Sequence, residues 1–84
     1  MIDVRQTLRG FVLEQFLDGA APDQLADDTS LERAQIVDSA RMMELILFLE
    51  ETFSLQVENE EALPENFDTI DRLVAYVERK LGRG

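Results

Sequence analysis

The chain has 84 residues, 45% of them hydrophobic, with 18 acidic and 8 basic side chains, a formal net charge of −10, no Cys and no His. That length suits one small domain, residues 1–84, and the apolar content argues for a real core rather than disorder. The charge disfavours nucleic acid and anionic membrane surfaces, which need a basic face. The missing Cys and His exclude disulfides, thiolate chemistry, Cys-ligated metal and a Ser-His triad.

In chain order, residues 3–17 predict a first helix. Val4, Leu8, Phe11 and Val12 recur at helical spacing, and Asp3 can serve as N-cap or as a first-turn acid. The cluster DGAAPD, with Gly19 and Pro22, ends it. Residues 23–38 read as a long loop pinned by Leu25, Leu31, Ile36 and Val37, with room for a helical turn. Loops of that length in a compact domain are usually functional or disordered, and the apolar anchors favour function. A second helix is expected over residues 39–53 with Asp38 as N-cap. The segment 54–67 is a connector with Pro64 and space for one short helix. The last helix opens at DTID, with Asp68 expected as N-cap and Asp71 in the first turn. It runs to about Leu81, carrying Ile70, Leu73, Val74, Val77 and Leu81 on one stripe. Arg79 and Lys80 suit its negative end, and Gly82 its termination. No segment reads as a strand, so the expected class is all-α: three main helices and one short one. No apolar run is long enough to span a bilayer, and the first ten residues lack a signal-peptide core, so the expected location is the cytoplasm.

The second helix carries more apolar surface than one stripe needs. At about 100° per residue, Met42, Leu45, Ile46, Leu49 and Phe53 share a packing face. Ala40, Met43, Glu44, Leu47, Glu50 and Glu51 form a second face that mixes apolar side chains with three carboxylates, and Ser39 lies at its edge. Met43 and Leu47 either widen the core stripe or form an exposed patch. Methionine suits such a patch because its side chain adapts to varied shapes. Phe48 falls on neither face. Ser39 is either an ordinary first helical residue beside its Asp38 cap or a site of covalent modification, since helix N-terminal amides favour an added phosphate. The acidic stretches ADDTS and ENEE lack the ligand spacing and central glycine of an EF-hand loop, so no metal site is expected.

The ordered set of Asp38-Ser39, the segment Glu44 to Phe53, an acidic connector and Phe67 to Thr69 resembles the acyl and peptidyl carrier protein family over nearly the whole chain. The resemblance implies a small four-helix bundle with a long first loop and a short third helix. It implies that Ser39, next to its motif neighbour Asp38, receives 4′-phosphopantetheine from coenzyme A. A separate Mg²⁺-dependent phosphopantetheinyl transferase would catalyse the transfer, the serine oxygen attacking the β-phosphate. The arm ends in the thiol that this chain lacks, and acyl or aminoacyl groups would ride on it as thioesters. The chain would then be a carrier, not an enzyme, and a monomer. It would serve a loading enzyme (an adenylating ligase or acyltransferase) and a downstream synthase or transferase. Ala40, Met43, Glu44, Leu47, Glu50 and Glu51 match the face that family members present to partners, which favours the exposed-patch reading of Met43 and Leu47.

Three positions depart from the family pattern. Gln35 stands where many members have glycine, Ala40 where many have Leu or Met, and Arg41 where an acidic or small residue is common. They bear on partner choice more than on modification. The connector LPENF and the form IVDS look more like stand-alone aminoacyl or D-alanyl carriers than the fatty-acid carrier. The competing reading is an acidic helical interaction domain, a degenerate carrier homologue without a prosthetic group.

Overall fold

The computed structural model describes residues 3–82. Its described residues form an all-α bundle without strands: α1 (Val4–Phe16), α2 (Ser39–Phe53), α3 (Pro64–Phe67) and α4 (Ile70–Lys80), with 3-10 turns at Pro22–Gln24 and Asn59–Glu61. No helix among them is long and apolar enough to cross a membrane.

α1 begins where Asp3 accepts a hydrogen bond from the Gln6 N–H at 3.1 Å, satisfying one of the amides that a helix start leaves unpaired. It buries Val4, Leu8, Val12, Leu13 and Phe16. Leu13 and Phe16 extend the stripe expected from sequence, whereas Phe11 lies half-buried at its edge. There it stacks on Phe48 with ring centroids 3.9 Å apart, so Phe48, which belongs to neither face of α2, packs across onto α1. α2 buries Leu45, Leu49 and Phe53, with Met42 and Ile46 half-buried beside them. α4 buries Ile70, Leu73, Tyr76 and Val77, while Val74 and Leu81 flank the core. Tyr76 is core because its ring packs on Phe67, at 5.2 Å, and its hydroxyl reaches Glu61 at 3.0 Å. A wheel drawn for aliphatic side chains omits it.

The cap of α4 corrects the sequence expectation. Thr69, not Asp68, is the N-cap, its hydroxyl accepting from the Arg72 N–H at 3.0 Å. Asp68 is turned instead to the first loop, where its carboxylate accepts from the Ser30 hydroxyl at 2.8 Å and the Glu32 N–H at 3.2 Å. Its backbone carbonyl accepts from the Leu31 N–H at 2.7 Å.

Two arginines of α1 tie down the rest of that loop. Arg9 donates to the carbonyls of Pro22 and Leu25 and to Asp27. Arg5 bridges Asp27 and Asp71, at 2.7 Å to each, and so links loop and α4 to α1. Desolvation alone would raise the Asp27 carboxyl, but Arg9 and Arg5 together hold it below the usual aspartate range. The anchors Leu25, Leu31, Ile36 and Val37 are all buried, so the loop is a packed layer of the fold.

The connector after α2 has its own anchor. One oxygen of Glu61 accepts from the Glu58 N–H, the Tyr76 hydroxyl and the Lys80 ammonium, each at 3.0 Å. The Glu58 N–H, then Lys80, lower the Glu61 carboxyl; burial, then the Glu61 carboxylate, raise the Tyr76 hydroxyl.

Candidate functional site

Ser39 is the first residue of α2, and it is exposed. Asp38 is the cap: its carboxylate accepts from the Arg41 N–H at 2.9 Å and its carbonyl from the Met42 N–H at 2.8 Å. The Ser39 hydroxyl is therefore not needed to start the helix and has no protein partner among the described residues. The Ser39 and Ala40 N–H groups likewise have no acceptor among the described residues, so the positive end of α2 faces the serine. These are conditions that a phosphodiester on the hydroxyl would fit, with Asp38 already engaged by the backbone.

The loop delivers the serine by a tight reversal. The N–H groups of Ile36 and Val37 both reach the Leu31 carbonyl, at 2.9 and 3.1 Å, and Gln35 turns the chain with φ of 59°. That left-handed conformation costs an L-residue with a Cβ about 1–2 kcal/mol, and glycine suits it without strain. The departure noted at Gln35 is thus a backbone matter. Gln35→Gly is expected to stabilise the fold by about 0.5–1 kcal/mol once the greater chain entropy of glycine is set against the relieved strain. Among the described residues the exposed Gln35 side chain has no hydrogen bond that would be lost. Urea unfolding of the two proteins measures the difference, and a destabilisation above 1 kcal/mol would contradict the left-handed geometry.

Beside Ser39 lies an open cleft of about 680 Å³. Leu31, Val37, Met42, Ala62, Pro64 and Phe67 line it, with carboxylates at Glu32, Asp38 and Asp68. Asp68 both lines the cleft and holds Ser30 and Glu32 of the loop. This role carries no sequence signal, because the partners lie more than thirty residues apart in the chain.

The outward face of α2 continues from Ser39. Met43 is 59% and Leu47 51% exposed, so neither widens the core. Ala40, Glu44 and Glu51 are exposed around them. Glu50 differs: it is half-buried, and its carboxylate accepts from the Val57 N–H at 3.0 Å, which pins the connector to α2. Ser39, Ala40, Met43, Glu44, Leu47 and Glu51 are thus brought to one surface, with Glu50 at its inner margin. Arg41 points the other way, into the seam between α1 and α2.

No protein-family model matches the sequence. Among curated proteins, the "Probable acyl carrier protein PigG" of Serratia sp. (strain ATCC 39006) is 38% identical over 68 residues, which cover 81% of this chain and 77% of that protein.

Proposed function

The chain belongs to the acyl carrier protein family, and from that premise we propose that it carries acyl or aminoacyl groups on a 4′-phosphopantetheine arm joined to Ser39. The observation that best supports this is the division of work between Asp38 and Ser39: the aspartate caps α2, and the serine is left exposed with its hydroxyl free. In the modification step the Ser39 oxygen forms a bond to the β-phosphorus of coenzyme A. The bond from that phosphorus to the oxygen of 3′,5′-ADP breaks, and the serine proton passes to a base of the transferase. This chain supplies the nucleophile and the presented helix; the transferase supplies base and Mg²⁺, so the absence of His is no obstacle. The arm, once attached, supplies a thiol for thioesters. The Ser39 and Ala40 N–H groups would face its phosphate, and the apolar walls of the cleft would meet whatever part of arm or cargo folds back.

Partner enzymes are expected to approach the face holding Met43 and Leu47. Its two apolar side chains would fill partner pockets while Glu44 and Glu51 meet basic residues and set orientation. The test of modification is direct. The purified protein is incubated with coenzyme A, Mg²⁺ and a broad-specificity phosphopantetheinyl transferase, and its intact mass is taken. One added phosphopantetheine is expected; repeated failure with several transferases would favour an interaction domain without a prosthetic group. For the face, Leu47→Asp is expected to slow modification roughly tenfold at low carrier concentration, the effect of losing about 1.4 kcal/mol of docking. Because Leu47 is exposed, circular dichroism should show unchanged helicity and a melting point close to that of the parent. Unfolding would place Leu47 in the core and remove it from the face.

A further inference from the structure

We infer that Arg41 is a positioning residue for Ser39, holding the end of the first loop so that the Asp38-Ser39 pair is presented in one geometry; this rests on Ser39 being the modified serine. Two residues along a helix is a turn of about 200°, so the side chains of Ser39 and Arg41 leave α2 on opposite sides. Arg41 is half-buried, and its Nη1 donates to the Ile36 carbonyl at 2.8 Å and, at 3.4 Å, to the Phe16 carbonyl. Its guanidinium lies over the Phe16 ring, 5.4 Å from the centroid.

Each contact falls at a place that needs it. Phe16 is the last residue of α1, where helix carbonyls run out of intrahelical donors and a cation is favoured. Ile36 stands just after the left-handed turn at Gln35 and two residues before the Asp38 cap. The Arg41 backbone N–H meanwhile donates to the Asp38 carboxylate. One residue therefore holds residues 36–38 from both sides, its side chain on the Ile36 carbonyl and its main chain on Asp38. It also joins the end of α1 to the start of α2. Arginine suits the task because a delocalised cation can stack on an aromatic ring and still donate to carbonyls, as a lysine ammonium does less well. The charge at this position is consequently spent inside the fold and is not offered to partners.

The experiment compares the full-length parent with Arg41→Met, Arg41→Lys and, as a control far from the serine, Leu81→Ala. Steady-state phosphopantetheinylation is measured with coenzyme A and Mg²⁺ at low and high salt, together with amide hydrogen exchange. Arg41→Met keeps the apolar stem and removes the donors. It should lower kcat/KM about tenfold through kcat, the scale of effect that a small misplacement of a reacting group produces. Exchange should quicken over residues 36–40 and not in α4. Arg41→Lys should recover part of both losses. Leu81→Ala, compared at equal fraction folded, should leave the rate unchanged. Exchange over residues 36–40 unaltered in Arg41→Met, or an equal rate loss in the control, overturns the inference. So does a loss confined to KM that disappears at high salt, which would make Arg41 a contact of the transferase. Should Arg41→Met fail to fold, Arg41→Lys decides the matter by the same readouts. If the parent itself is not modified, the assignment of Ser39 fails, while the exchange data still report whether Arg41 orders the loop.

Discussion

Ser39→Ala is expected to abolish attachment of phosphopantetheine completely and to leave the fold intact. The first half follows from what the other hydroxyls are doing. The chain has three serines. The Ser30 hydroxyl donates to Asp68 and accepts from the Arg33 N–H, so it is held inside the loop. Ser54 is the C-cap of α2, fifteen residues beyond Ser39, where a left-handed backbone and unpaired carbonyls would repel an anion. Only Ser39 sits at a helix N-terminus beside an open cleft. The second half follows from the cap. Asp38 carries the bond to the Arg41 N–H, so removing the serine hydroxyl breaks nothing, and alanine is at least as good a helix former. Intact mass before and after incubation with transferase, and a thermal melt of the variant, check both halves. Mass gain in Ser39→Ala would move the attachment site elsewhere. A large loss of stability would mean that the hydroxyl, not Asp38, starts the helix.

Phe67→Ala is expected to destabilise the protein by about 3–5 kcal/mol, the cost of emptying a fully buried aromatic site. α3 has four residues, too few to be stable alone, and Phe67 is its one buried side chain. The ring is 0% exposed and packs at 5.2 Å from that of Tyr76. Its loss therefore removes both core contact and the reason for α3 to sit on α4. In a domain of this size the melting point should fall by more than about 12 °C. Because Phe67 also lines the cleft, hydrogen exchange should quicken most across residues 61–68. Glu61 should still hold the start of that segment through Tyr76 and Lys80. Urea unfolding gives the magnitude, and a loss under 1 kcal/mol would show that the site collapses around the smaller side chain or that α3 does not depend on it.

The structure shows how the two faces of α2 are kept apart. Leu45, Leu49 and Phe53 point into the bundle, whereas Met43 and Leu47 stay in solvent although they are as apolar. Under the proposed function, an exposed apolar strip rimmed by carboxylates would let several enzymes recognise the carrier in turn without a deep preformed pocket. None of the acidic side chains among the described residues is buried, and under the proposed function their surplus charge would draw in basic partners.

What the sequence determined by itself was the local grammar. The cap at Asp38, the period of α1, α2 and α4, the four apolar anchors of the first loop and the two faces of α2 all depend on neighbours within one or two helical turns. The Asp-Ser pair and the segments after it likewise point to the family, because they are contiguous and ordered. Tertiary structure decided what depends on distant partners. Whether Met43 and Leu47 are core or surface turns on which sides of α2 the other helices occupy, and a wheel cannot say. Asp68 looks like a cap on local pattern, yet it serves the loop, because Ser30 and Glu32 are brought to it and Thr69 is already in place to cap. Glu50 has the sequence character of a surface carboxylate and is drawn inward by the Val57 amide. Gln35 and Arg41 look like departures in partner chemistry, but the fold gives them backbone tasks: a left-handed turn at one, and a clamp on the Ile36 and Phe16 carbonyls at the other. Hydrogen bonds and strain of this kind exist only once the chain has closed on itself, so they leave no periodic trace along it.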